Sequence, residues 1–190
     1  MDSVYFEDLK FEKQDFSEAG LQRGEYEGCT FVNCNFSNTD LSGIHFSECA
    51  FLACNISMVK LEKTAFKDIQ FRDCKLLGLR FETCSDFLFE VDFDNCMLNL
   101  SSFLERKLKK TSFKNSSLIE VDFTGADLTN AVFHNCDLQR AIFENTMLEN
   151  TDFRTARNYS FDPDVNKMKK AKFSYPGVLG LLEKYDIEIE

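Results

Sequence analysis

The sequence predicts an all-β solenoid, a chain wound into stacked four-sided coils, on three observations. A large apolar residue returns at every fifth position, the residue two before it is mostly small, and Asp or Asn is frequent one before it. Residues 123–153 show the first plainly, with Phe123, Leu128, Phe133, Leu138, Phe143, Leu148 and Phe153. A helix face repeats near 3.6 and a strand face at 2, so neither regular element keeps a period of five on one side. A chain that turns one corner per pentad does keep it. Four pentads close a coil of about twenty residues, and coils stacked at the strand spacing of roughly 4.8 Å build a quadrilateral β-helix with the ladder inside. Small residues beside the ladder, such as Cys34, Thr39, Cys54, Thr64, Ala126 and Ala131, let large and small side chains fill a narrow core together. Asp40, Asn55, Asp122, Asp127, Asp137 and Asp152 stand one residue before a ladder position, where a short polar side chain bonds the local backbone at a tight corner.

Taken in order, the ladder opens with Phe6, Phe11, Phe16, Leu21 and Tyr26 and continues in fives to Leu76 and Phe81. Across residues 82–92 the frame slips by two. A new frame is expected from Leu88, through Phe93, Leu98, Phe103, Leu108, Phe113 and Leu118. In it Asp86 and Arg106 share a column that elsewhere holds small residues. Two arrangements fit: a local outward flip, or an Asp86–Arg106 ion pair, which is costly in a core unless fully hydrogen bonded. The break either absorbs an insertion or offers a contact surface of its own.

The coils are assigned to residues 1–157, and residues 158–190 to a cap. Met168 and Phe173 stay on the ladder frame. Ser174 then suits a helix N-cap and Pro176 a first turn, so a short C-terminal α-helix of about ten residues is expected, with Val178, Leu181, Leu182 and Tyr185 on one face. The alternation from Asp186 to Glu190 suits a closing strand over an otherwise open edge. Apolar residues spread beyond one helix face, which makes Val178, Leu179, Leu181, Leu182, Tyr185 and Ile187 the candidate interface of a two-fold homodimer.

With 190 residues, 21 of them Phe and none Trp, the chain suits one elongated domain. No leader-like segment, membrane-length apolar run or polybasic tail is evident, so a cytoplasmic protein without a membrane partner is expected. The eight cysteines fall into columns, Cys29 with Cys49 and Cys34 with Cys54 and Cys74, with Cys96, Ser116 and Cys136 forming another. Side chains in a parallel ladder point alike, so free buried thiols are expected rather than disulfides. A metal site is the alternative, but Cys-x4-Cys lies outside the usual zinc spacing and no His accompanies it. His45 and His134 fall at outward positions, and no phosphate loop or nucleophile motif occurs. A non-enzymatic protein without cofactor or metal is expected.

The repeat resembles the pentapeptide-repeat proteins, whose unit is a small residue, Asp or Asn, Leu or Phe, a polar residue and any residue; GADLTNAVF and NTDFR match it closely. The resemblance covers residues 4–157 and implies that the β-helix is right-handed. The tail, with NY, then NKMKKAKFS, a Leu-rich segment and DIEIE, is similar to the topoisomerase-protecting branch: the albicidin-resistance and microcin B17 immunity proteins, and more distantly the quinolone-resistance (Qnr) proteins and MfpA. That resemblance implies a dimer through the C-terminal ends and an acidic rod that binds DNA gyrase or topoisomerase IV as a mimic of duplex DNA.

The charge pattern bears on this independently. The net charge of −10 sits in two bands, residues 1–30 with eight acids against three bases and residues 118–154 with seven against two. The second band carries about one net charge per 1.8 Å of coil rise, against about one per 1.7 Å of duplex DNA. Averaged over the rod the density is about half that of DNA. Glu120, Asp122, Asp127, Asp137, Glu144, Glu149 and Asp152 are therefore the candidate partner-binding residues. Asp122, Asp127, Asp137 and Asp152 are also what the corner requires, so Glu120, Glu144 and Glu149 are the free choices. An acidic chain repels phosphate, so direct nucleic-acid binding is not expected. The alternative function is a structural scaffold for another protein, with no topoisomerase contact.

Overall fold

A computed structural model describes residues 4–188. Among these residues eleven short strands follow in chain order: β1 Tyr5–Glu7, β2 Lys10–Glu12, β3 Glu25–Glu27, β4 Thr30–Val32, β5 His45–Ser47, β6 Ala50–Leu52, β7 Ala65–Lys67, β8 Ile69–Arg72, β9 Val91–Asp94, β10 Ser112–Lys114 and β11 Val132–His134. All pair in parallel. One sheet runs β1-β3-β5-β7 and the other β11-β10-β9-β8-β6-β4-β2. Partners stand twenty residues apart, as in Phe11 with Phe31 and Phe31 with Phe51. The remaining walls are held by single parallel bridges such as Asn35–Asn55 and Asp40–Lys60. The chain is thus a parallel β-solenoid of four-pentad coils. Its walls are numbered here from the first to the fourth by the ladder residues Phe6, Phe11, Phe16 and Leu21 of the opening coil.

The core is the predicted ladder. On the second wall Phe11, Phe31, Phe51, Phe71, Phe93, Phe113, Phe133, Phe153 and Phe173 form one continuous stack with centroids 4.8 to 5.4 Å apart. The coil rise sets that separation, because each ring sits one strand spacing above the last. Asp or Asn before the ladder residue bonds the corner as expected: the carboxylates of Asp122 and Asp127 accept the Thr124 and Thr129 N–H groups at 2.8 and 3.2 Å. The left-handed corner itself lies two residues after the ladder position. Asn33, Asn38, Asn95, Asn115, Asn130, Asn135, Asn145 and Asn150 have positive φ there, as do Gly43 and Gly125. Asn and Gly tolerate this region best, yet Met58, Leu100 and Lys110 occupy it too.

All eight cysteines are free and buried. Cys34, Cys54, Cys74 and Cys96 occupy one column that continues through Ser116 to Cys136, and Cys54, Cys74 and Cys96 donate to the carbonyls of Phe31, Phe51 and Phe71 at 3.4, 3.3 and 3.4 Å. Burial pushes the Cys49 and Cys136 thiols up to about 12.

The break departs from the expected frame. Register passes from Phe71 to Phe93, a step of twenty-two. Leu88 is not a ladder residue: it is exposed with φ +53°. Phe89 takes the inward role, with its ring edge-on to Phe66 and Phe81 at 6.4 and 6.2 Å. Two extra residues cannot fit along a straight wall, so Asp86, Phe87 and Leu88 loop outward and Phe89 turns back to close the gap. Both arrangements proposed for Asp86 and Arg106 occur together. The Asp86 side chain is 95% exposed while that of Arg106 is 4% exposed, and they pair at 2.6 Å. Arg106 also donates to the carbonyls of Cys84 and Ser85 at 3.1 and 2.9 Å and lies 4.1 Å from the Phe89 ring centre. No backbone N–H among the described residues reaches those two carbonyls. The guanidinium therefore satisfies the groups that the insertion pulls out of register.

Among its described residues the C-terminal segment contains no α-helix. Gly177–Leu181 and Glu183–Tyr185 are 3-10 turns. The N-cap of the first is Pro176 rather than Ser174, although the Ser174 hydroxyl accepts the Gly177 N–H at 3.1 Å. Gly177 and Gly180 lie directly on Tyr159, where an added Cβ would come within 2.1 and 2.0 Å of its hydroxyl and carbonyl oxygens. Two glycines in so short a segment disfavour an α-helix by about 1 kcal/mol each, and the close approach to Tyr159 governs the path. Asp186 to Glu188 form no strand, and Ile189 and Glu190 lie outside the described residues.

Candidate functional site

The seven candidate acids encircle the rod. Glu120 and Asp137 lie on the third wall, Asp122 and Glu144 on the fourth, Asp127 and Glu149 on the first and Asp152 on the second, as the bridges Ser117–Asp137, Asp122–Ile142, Asp127–Met147 and Val132–Asp152 fix. Four are ion paired within the chain. Glu120 pairs with Arg140, Asp127 with Lys109 at 3.2 Å, Asp137 with Arg157 at 3.3 Å and Asp152 with Arg154 at 2.7 Å. Asp122, Glu144 and Glu149 have no ion-pair partner among the described residues.

The corner geometry controls the protonation of three of them. Burial alone would raise Asp127, but the Thr129 hydroxyl and N–H and the Lys109 ammonium outweigh it and hold the carboxyl below its ordinary range. Burial likewise opposes, and Asn158, the Gln139 N–H and Arg157 overcome, at Asp137. At Asp152 the Arg154 hydrogen bonds dominate and lower it.

The fourth wall is the face with the least compensation. Its outward positions from Ser102 to Asn145 hold Glu105, Asp122 and Glu144 and no Lys or Arg. The first wall is polarised instead. Glu7, Glu25, Glu27 and Glu48 lie toward its N-terminal end, whereas Lys107, Lys109, Lys110, Lys167, Lys169 and Lys170 gather toward the other. The sequence bands missed this, because the two lysine runs lie about three coils apart in the chain and only the twenty-residue period puts them on one wall. The same period relates Glu120 to Arg140 and Asp137 to Arg157, a signal that was available before the structure.

The candidate dimer residues divide. Leu181 is buried and Val178 packs against the chain's own core, while Leu179, Tyr185 and Ile187 are exposed and Leu182 is half-buried. Tyr175, 92% exposed, adds to this patch and was not anticipated. His45 and His134 are exposed, and no group of three or more His, Cys, Asp or Glu that could hold a metal ion occurs among the described residues. No helix of the described residues is long and apolar enough to cross a membrane.

A four-walled parallel solenoid with an apolar ladder inside and a twenty-residue coil defines a repeat protein. The chain belongs to the pentapeptide-repeat family: family models described as pentapeptide repeat region and pentapeptide repeats match residues 25–85 and 116–154, together just over half of the chain. Among solved structures it is similar to trypsin-treated QnrB1, a plasmid-mediated fluoroquinolone resistance protein, at 22% identity over 97% of this chain and 99% of that one, with a TM-score of 0.50. Another is HetL of the cyanobacterium Nostoc, a pentapeptide-repeat protein involved in heterocyst differentiation regulation, at 15% identity over 90% and 87% with a TM-score of 0.46. At 22% identity the likeness to QnrB1 speaks to the fold alone. No match is found among curated proteins.

Proposed function

We propose that this protein is a non-enzymatic DNA mimic that docks on a basic DNA-binding surface of DNA gyrase or topoisomerase IV and competes there with a DNA segment. The observation that carries the reading is the fourth wall, where Glu105, Asp122 and Glu144 stand on successive coils without a cation between them. Along the rod axis they rise by about one coil each, roughly 4.8 Å, against about 3.4 Å between phosphates on one DNA strand, though they are staggered across the wall. Glu149 extends the surface round the corner, and Glu120, Asp127, Asp137 and Asp152 complete the ring around it. A two-fold dimer through Leu182, Tyr185 and Ile187 brings two such surfaces into one longer rod in the cytoplasm.

Titration into purified gyrase tests this. Inhibition of supercoiling, or rescue from a gyrase poison, should weaken steeply as salt rises, because the contact is electrostatic. The combined Glu120→Gln, Glu144→Gln and Glu149→Gln variant should lose the effect while keeping its fold. One observation favours the scaffold reading: four of the seven acids are already neutralised by ion pairs within the chain. Inhibition that is absent, or indifferent to salt and to the triple variant, would leave that reading in place.

A further inference from the structure

The last coil lacks its fourth wall. After Arg157, which still pairs with Asp137 on the third wall, the chain cuts across the end of the core instead of running outside it. Tyr159 and Phe161 are buried there, and the Phe161 ring lies 4.9 Å from that of Phe143. Pro163, at the position where the next ladder residue would fall, begins a 3-10 turn, and the regular path resumes at Lys167 opposite Met147.

The consequence is an open strand edge from Arg140 to Asn145. One coil below, Glu120, Phe123 and Gly125 donate to the carbonyls of Gln139, Ile142 and Glu144 at 3.0, 2.9 and 2.8 Å, and the Val121 carbonyl accepts from Ile142 at 2.9 Å. The equivalent groups in the last complete coil are the N–H groups of Arg140, Phe143 and Asn145 and the Ala141 carbonyl. None has a hydrogen-bond partner among the described residues. Only the Phe143 carbonyl is answered, by the Asn166 amide at 2.9 Å, which also donates to the Asp162 carbonyl at 2.8 Å. Above this edge lies a groove of about 1060 Å³, bounded by the edge, residues 158–162 and the first 3-10 turn of the cap. That volume is at the upper end of the range for bound ligands.

We propose that this edge is a docking site for an extended basic segment of a partner protein, which adds in parallel as the missing strand of the fourth wall. Its backbone would answer the four unpaired groups, as strand addition requires. Its apolar residues would meet Val165 and Leu179, which are 46% and 43% exposed. Its cations would meet Glu144 and Glu183, which have no ion pair among the described residues, whereas Arg140 and Asp162 in the same groove are taken by Glu120 and Lys184. The acidic tail of a second copy, Asp186 to Glu190, has the wrong charge for this place. The inference is independent of any topoisomerase contact.

The test uses the full chain and a synthetic acetylated, amidated peptide of alternating Lys and Val, eight residues long. Binding is read by fluorescence anisotropy and by amide hydrogen exchange. The Phe143 and Asn145 amides should slow by about tenfold or more on binding. Of two peptides, one N-methylated at every Lys and one at every Val, one should lose binding by about tenfold or more and the other retain it, because successive residues present their N–H groups to opposite edges. Glu144→Gln with Glu183→Gln should weaken binding severalfold without changing the circular dichroism. No binding at millimolar peptide overturns the proposal. So does equal loss or equal retention with the two N-methylated peptides. Protection of these amides that rises with protein concentration alone would assign the edge to a second copy instead.

Discussion

Removing the Arg106 guanidinium tests the account of the register break. The Arg106→Ala variant leaves the Cys84 carbonyl without its donor in a buried setting, at about 1 to 3 kcal/mol. It also takes the bond from the Ser85 carbonyl and the contact with Phe89, the latter about 1 kcal/mol, and it vacates space in a closed core. With the lost carbonyl bonds, the lost ring contact and the cavity together, a total loss of about 3 to 5 kcal/mol is expected. Asp86→Ala removes a carboxylate that is 95% exposed and leaves the buried guanidinium its two carbonyl acceptors and the Phe89 ring, so it should cost less, about 1 to 2 kcal/mol. Urea unfolding followed by far-ultraviolet circular dichroism measures both, with the slope against urea checked for constancy. Deleting Phe87 and Leu88 in the Arg106→Ala background returns the coil to twenty residues and should recover much of the loss. The reasoning fails if Arg106→Ala costs under about 1 kcal/mol, or if the two single variants cost the same.

Other outcomes follow from the same structure. Phe133→Ala opens the aromatic column between Phe113 and Phe153, which stack on it at 4.9 and 5.0 Å, and should cost about 3 to 5 kcal/mol by urea unfolding. Leu100→Asn, at an exposed corner with φ +62°, should raise stability by about 1 kcal/mol in the same assay, since Asn adopts that conformation more readily. Asp127, Asp137 and Asp152 have lowered pKa values, so the unfolded chain takes up protons before the folded one does. Their contribution is complete above the unfolded value of about 4 and is lost as pH falls through the folded values. A variant with all three changed to Asn should therefore show a flatter stability profile below about pH 5 than the parent, measured by denaturant midpoint.

Much of the core could be read from the chain because a period of five admits few structures. Phe31, Phe51, Leu76 and Phe133 are buried as the ladder requires. The break resisted because counting back in fives from Phe93 selects Leu88, while an insertion frees the chain to turn outward and return with Phe89. The left-handed corner was hidden because Leu100, Met58 and Lys110 are tolerated there as well as Asn. At the C-terminus the apolar spacing of Val178, Leu181 and Leu182 pointed to a helix, and Gly177 and Gly180 carried the opposing signal. The acids were legible one by one, but their partners Lys109, Arg140 and Arg157 sit on neighbouring coils. Charge on this fold is arranged by wall, and linear windows average over all four.

The twenty-residue register also sets how the rod bears a load. The ladder hydrogen bonds along a wall join one coil to the next, so a pull on the two ends works against them one coil at a time rather than across the whole sheet at once. Each coil that detaches pays out about 70 Å of extended chain, and the coil closed by Phe71 and Phe93 about 7 Å more. Extended between a bead and a surface, the molecule would unwind in even steps, with one longer step held back by Arg106.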